Sequence, residues 1–158
     1  MTVTLTSAED RLAQLGIALP DAPTPFGAYV PAARTGNLLF LSGMLATSGH
    51  AVRVAGIVGK NLDVRGGQAA ARVAALNALA LTRKELGCLD RVARVVRLGV
   101  YVAATADFTD HARVADGASE LLRDVIGTET VSSRIVIGVA SLPLGSAVEL
   151  EVILEVRQ

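Results

Sequence analysis

The segment Ser133 to Gln158 constrains the fold more than any other part of the chain. It reads as two strands around a Leu142-Pro143-Leu144-Gly145 corner. The first, Arg134-Ile135-Val136-Ile137-Gly138-Val139-Ala140, is apolar except for its opening arginine. The second, Val148 to Val156, alternates Val148, Leu150, Val152, Leu154 and Val156 with Glu149, Glu151, Ile153 and Glu155. A period of two puts these sets on opposite faces of a sheet. One face of the second strand is therefore uniformly apolar and must be covered. Ile135, Ile137 and Val139 are the bulky set of the first strand and are expected to meet the same cover. Arg134, Val136, Gly138 and Ala140 are then expected to face away, on the side of Glu149.

The rest of the chain supplies the cover. Ser7-Ala8-Glu9-Asp10 opens like a capped helix that Gly16 ends. The stretch Leu19-Pro20-Asp21-Ala22-Pro23-Thr24-Pro25 cannot stay helical and reads as a connector. A hairpin follows, from Tyr29 to Arg34 and from Leu38 to Ser42 around Thr35-Gly36-Asn37. Residues 62–86 read as a long helix with Asp63 as cap and Gly87 behind it. Ala70, Val73, Ala74, Asn77, Ala80 and Leu81 give this helix a face narrow enough to lie close on a sheet. The Val-rich run from Arg91 to Ala104 is a strand, and Asp107 to Ile126 is a second helix. The order β-β-α-β-α-β-β predicts a two-layer α+β domain with both helices on one face of a mostly antiparallel sheet. Residues 1–25 form the helix and connector, and residues 26–158 the domain.

Half of the 158 residues are hydrophobic, and 15 acidic residues balance 15 basic ones. No apolar run reaches the roughly 18 residues of a membrane span. The uncovered sheet face holds Val136 and Ile153 and is too apolar for water, so it is expected to be an interface between copies of the chain. A neutral chain does not suit a phosphate-backbone binder, and Arg91, Arg94 and Arg97 are expected to alternate faces rather than form a basic stripe. The first residues carry no signal-peptide pattern, and the single Cys88 fits a reducing compartment, so a cytoplasmic location is expected. His50 and His111 lack metal-ligand spacing and read as surface residues. Gly56-Ile57-Val58-Gly59-Lys60-Asn61 lacks the spacer and hydroxyl of a phosphate loop. A hairpin turning near Pro143 pairs Glu149 with Gly138. Arg134 then lies four residues away, on the order of 13 Å at ~3.3 Å per residue. If Arg134 and Glu149 cooperate, a neighbouring subunit must bring them together.

Three segments resemble the Rid family (reactive intermediate deaminases, also called YjgF or L-PSP proteins) over Phe26 to Val156. Phe26-Gly27-Ala28-Tyr29-Val30 resembles the family's G-P-Y motif, and Leu41-Ser42-Gly43 its S-G-Q motif. Ser133-Arg134, Leu142-Pro143 and Val148-Glu149-Leu150-Glu151 resemble its C-terminal signature. The longer N-terminus and Val114-Ala115-Asp116-Gly117-Ala118-Ser119 resemble a longer subgroup. The resemblance implies a chorismate-mutase-like fold, a homotrimer whose sheets form a barrel, and ligand sites in clefts between subunits. It also implies cofactor-free and metal-free hydrolysis of enamine and imine acids such as 2-aminoacrylate to a 2-keto acid and ammonia. Carried over by motif, Arg134 clamps the substrate carboxylate and Glu149 positions water. Tyr29, Ser42 and Gly43 line the site, with the Gly43 N–H as a second carboxylate donor. Met44 stands where many members have Gln, Ala28 replaces Pro, Val136 replaces Cys, and Asp116 falls where active members often have Asn. Met44 and Val136 would make the cleft more apolar. The alternatives are a small-carboxylate-binding regulatory trimer without turnover and, against the neutral charge, an endoribonuclease.

Overall fold

The computed structural model describes residues 6–127 and 132–158. Helix α1 (Ala8–Gln14) starts at a capping box in which Ser7 and Asp10 exchange side-chain and backbone bonds. Helix α2 (Val64–Leu86) is capped by the Asp63 carboxylate on the Gly66 N–H and ends at Gly87, whose φ of 80° suits a residue without Cβ. Helix α3 spans His111–Ile126. The strands are β1 (Ala32–Thr35), β2 (Leu38–Leu41), β3 (Met44–Leu45), β4 (Thr47–Ser48), β5 (Ala51–Val52), β6 (Val92–Ala103), β7 (Ser133–Val139) and β8 (Val148–Val156). The sheet order is β1-β2-β8-β6-β7, with β3 beside β8 and β4–β5 a separate ribbon. Both long helices pack on one face of this sheet, as the two-layer α+β reading requires. Among the described residues no helix is long and apolar enough to cross a membrane.

The layers close through small residues. Ala70, Ala71, Ala74, Ala75 and Ala78 of α2 are buried against the leucines and valines of β6 and β8. A Cβ on Gly117 of α3 would overlap the backbone carbonyl of Gln68 in α2, so the two helices touch main chain to main chain there. Asn77, buried on the sheet side of α2, donates to the Leu45 and Thr47 carbonyls at 3.0 and 2.9 Å and ties the end of β3 to the helix. Helix α1 clasps the opposite end of the helix layer. Arg11 donates to the Val125 and Ile126 carbonyls at the end of α3, and to Thr6. Glu9 pairs with Arg83 of α2 and accepts from the Leu89 N–H.

Three expectations are corrected. β7 and β8 do not form a hairpin, because β6 lies between them, antiparallel to β8 and parallel to β7. The cause is the run Leu98–Ala103, which is buried almost throughout except for Tyr101 and satisfies its backbone only with a strand on each side. Glu149 is consequently opposite Tyr101, and Gly138 opposite Val102.

The faces of β7 are also inverted. Parallel register with Leu98, Val100 and Val102 turns Arg134, Val136 and Gly138 toward the helices, and leaves Ile135 and Ile137 38% and 40% exposed on the open face. The space beneath α3 explains this choice, since the His111 ring lies where a side chain at position 138 would go.

Finally, Arg94 and Arg97 share the open face. Two irregularities in β6, between Val92 and Arg94 and between Val95 and Arg97, each add a residue to the alternation. Both arginines pair with β8 glutamates, Arg94 with Glu155 at 2.9 Å and Arg97 with Glu151 at 3.5 Å. The pairs cancel any basic stripe.

Candidate functional site

Four of the five motif residues meet on one protomer. Tyr29 precedes β1 in a bend rather than lying in the strand, and its phenol oxygen accepts the Phe26 N–H at 3.0 Å, curling the segment on itself. Ser42, just past β2, donates its N–H to the Pro31 carbonyl at 2.9 Å and its hydroxyl to the Val30 carbonyl at 2.6 Å. These bonds fix the Phe26–Pro31 strap beside Gly43. Glu149 rises from β8 on the open face, between Tyr101 of β6 and Leu45 of β3. Phe26, Tyr29, Ser42, Gly43, Leu45 and Glu149, with Pro143 and Leu144 from the corner before β8, line a cleft of about 480 Å³. Leu144 holds a left-handed backbone with φ 58°, which turns its side chain out at the rim, 55% exposed.

The chemistry of this half centres on Glu149. Its side chain is half-buried, and no described residue gives its carboxylate a hydrogen bond or an ion pair. Burial alone raises its pKa above the usual carboxylate value. A Cβ on Gly43 would overlap the carboxylate, so only glycine leaves it room. The neighbouring glutamate has a different fate. Glu151 accepts a hydrogen bond from the Tyr101 hydroxyl at 3.0 Å, and that bond, followed by burial, pushes the phenol pKa up. Of the two glutamates, Glu149 is the one left available to a reactant.

Arg134 lies elsewhere, on the helix side of β7. Its Nη1 donates to Asp116 Oδ1 at 2.8 Å and to Ser119 Oγ at 3.0 Å, both on α3. Along the sheet it is three β6 positions from Glu149 and two strands across, roughly 10 Å in each direction at ordinary strand spacings. The expectation that Arg134 and Glu149 share a sheet face is therefore wrong: Glu149 is on the open face and Arg134 is under the helices. Val136 shares Arg134's side. Met44, expected to line the cleft, is buried opposite Leu150 and reaches only a small cavity that it shares with Tyr29, Ser42 and Gly43, because β3 turns that position toward α2.

Several neighbours escaped the sequence reading. Tyr101 was hidden by the irregular β6, which upsets any count by twos. Ser119 lies one turn along α3 from Asp116, an i,i+3 spacing that puts both on one side of a helix. His50, exposed as expected, shares a 2.7 Å hydrogen bond with Thr24 and packs its ring on Phe26, 4.6 Å between centroids. It pins the connector near the cleft. His111 is half-buried and edge-on to Phe108. Among the described residues no three His, Cys, Asp or Glu side chains gather as a metal site.

A sheet covered by two helices on one face, with a carboxylate cleft at the border of the other, defines an α+β protein of chorismate-mutase-like type. The family model described as "YjgF/chorismate_mutase-like, putative endoribonuclease" matches residues 9–156, and the chain belongs to that family. It is 42% identical over 148 residues to Protein TCP17 of Trypanosoma cruzi, covering 93% of this chain and 92% of the relative. A crystal structure of a protein of unknown function from Agrobacterium tumefaciens is 38% identical, with a TM-score of 0.86 over 94% of this chain and 92% of that one. RidA from the Antarctic bacterium Psychrobacter sp. is 26% identical, with a TM-score of 0.62 over 86% and 94%. The Rid resemblance of the three motifs is thus confirmed at the level of family and fold.

Proposed function

We infer that the protein hydrolyses small enamine and imine carboxylic acids to 2-keto acids and ammonia, in clefts between copies of the chain. The observation that carries this reading is the Glu149 carboxylate, half-buried without a hydrogen bond from any described residue, against a glycine that makes room for it. A protonated imine is already electrophilic. The protein must hold it, present a water and move protons. Glu149 takes a proton from water as its oxygen bonds to the imine carbon, and the imine π pair moves to nitrogen. The resulting amino alcohol loses ammonia when Glu149 returns the proton to nitrogen, the C–N bond breaks and the hydroxyl oxygen closes to a carbonyl as its own proton passes to the departing ammonia or to water. An enamine first adds a proton at its terminal carbon to become the imine. Tyr29, Phe26 and Leu144 wall the reactant, and the Gly43 N–H and Arg134 receive its carboxylate.

Because Arg134 and Glu149 are on opposite faces of one sheet, Arg134 comes from a second copy. Phe40, Ile135 and Ile137 are large apolar side chains exposed on the open face, and Ile153 flanks Phe40 there. Three open faces closing on one another would cover them. Sedimentation should give three times the chain mass. In the activity test, 2-aminoacrylate is generated in situ while keto acid and ammonia are followed. Acceleration over buffer that is lost in Arg134→Ala and Glu149→Gln, but kept in the distant Arg72→Ala, supports the reading. No acceleration with any of several imino acids would sink it. The engagement of Arg134 by Asp116 favours one alternative, a keto-acid-binding trimer without turnover, which binding without acceleration would reveal.

A further inference from the structure

We propose that Asp116 is a specificity-determining residue, which narrows the advantage that the Arg134 side of the cleft gives anionic reactants over neutral ones. Its role concerns the same cleft and rests on the function proposed for Arg134. Asp116 and Ser119 engage a single nitrogen of the guanidinium, Nη1, at 2.8 and 3.0 Å. No described residue accepts from Nε or Nη2. The side chain keeps 27% of its surface accessible. The group is therefore held by one corner, with the Nε–Nη2 edge left as a planar pair of donors aimed in one direction. Such an edge matches two adjacent acceptor oxygens.

Charge is a separate matter from this geometry. Arginine alone would offer a full positive charge to a carboxylate. Here a carboxylate of the same chain sits on the other side of the guanidinium, and the pair sums to zero. A ligand carboxylate roughly 4 Å from the guanidinium lies roughly 7 Å from Asp116, so at equal dielectric the repulsion cancels about half of the attraction. What remains is the other half of that attraction and the hydrogen-bond geometry, in which an uncharged amide's carbonyl oxygen makes one of the two bonds that a carboxylate makes. Asp116 also fixes the arginine rotamer, so the edge is preorganised without an anionic ligand to order it. The substrate class that follows is small imines bearing an adjacent carbonyl oxygen, as free acids or as their uncharged amides.

The measurement is calorimetric binding of pyruvate and of its neutral amide, pyruvamide, to the assembled full-length protein and to Asp116→Asn and Arg134→Ala. Asn keeps the size and the Oδ1 acceptor of Asp, so the Nη1 bond and the fold persist, which circular dichroism and melting would verify. The wild type should prefer pyruvate to pyruvamide by less than about tenfold, and Asp116→Asn should gain about tenfold for pyruvate with little change for pyruvamide. Arg134→Ala should lose both. Raised salt should weaken pyruvate binding to Asp116→Asn more than to the wild type. A wild-type preference for pyruvate of about a hundredfold, or an unchanged ratio in Asp116→Asn with both probes bound, overturns the role of Asp116 alone. Failure of every form to bind either probe overturns the carboxylate site itself, and this role with it.

Discussion

Strand β8 runs inside the sheet and β7 along its edge, and both alternate bulky apolar residues with charged or small ones. In β8 the apolar set lies under α2 and is almost fully buried, while Glu149, Glu151, Ile153 and Glu155 take the open face. In β7 the bulky set is the exposed one, and Arg134, Val136 and Gly138 lie under α3. Side-chain size directs a strand inward only where there is room to receive it. Beneath α2 the alanines leave room. Beneath the start of α3 the His111 ring takes it, and the strand turns its small residues to the helix. The two strands thus offer their functional groups to different sides, and a site needing both groups has to be shared between copies.

The largest effect expected from this contrast is on the open face of β8. Glu149→Gln should lower imine hydrolysis by about 10²- to 10⁴-fold, as loss of a general acid–base does. It should also raise stability at neutral pH. A carboxyl whose folded pKa is raised binds more protons folded than unfolded, so it weakens the fold as pH climbs from the unfolded value through the folded one. Thermal melts should show this pH-dependent loss in wild type and not in the variant. The acidic limb of kcat/KM should lie above the usual carboxylate range and vanish in Glu149→Gln.

Next in size is the buried face of the same strand. Leu150→Ala should cost about 2–5 kcal/mol in urea titrations. Ile137→Asp on β7 should instead lower the assembled mass and leave the far-ultraviolet dichroism intact. Unfolding by Ile137→Asp would break the comparison. Gly43→Ala pushes the Glu149 carboxylate aside without touching the core and should reduce turnover about 10²-fold, with melting little changed.

The smallest expected effect lies far from both strands. Hydrogen bonds with Arg83 lower the pKa of Glu9, and the Glu9 N–H lowers that of Asp90, so both carboxylates bind fewer protons folded than unfolded. Their stabilisation is present above the unfolded carboxylate range and is lost as pH falls through the lowered folded values. The Glu9–Arg83 pair is partly exposed, so Glu9→Gln should cost a few tenths to about 1 kcal/mol at pH 7 and flatten the acid limb of the stability curve.

What was legible in the sequence follows the range of the forces involved. Asp63 and Gly87 mark the ends of α2 because caps act within one turn, and the alternation of β8 reads correctly because both of its faces are uniform. The meeting of Tyr29, Ser42, Gly43 and Glu149 was legible through the motifs. The order of the strands was not, because β6 enters between β7 and β8 by pairings that no local pattern encodes. The two irregularities of β6 shifted Arg94, Arg97 and Tyr101 out of a simple count. The Arg134–Asp116 contact depended on which way β7 faces, and that was decided by a histidine ring 27 positions away in sequence from the glycine beneath it.

The clasp formed by α1 has a consequence at a distance. The strap carrying Phe26 and Tyr29 runs from this seven-residue helix, past the His50–Thr24 bond, to the Ser42 hydroxyl. One wall of the cleft is thus moored to the far end of the helix layer, at the terminal carbonyls of α3. Loosening Arg11 should therefore be felt at the aromatic wall of the cleft.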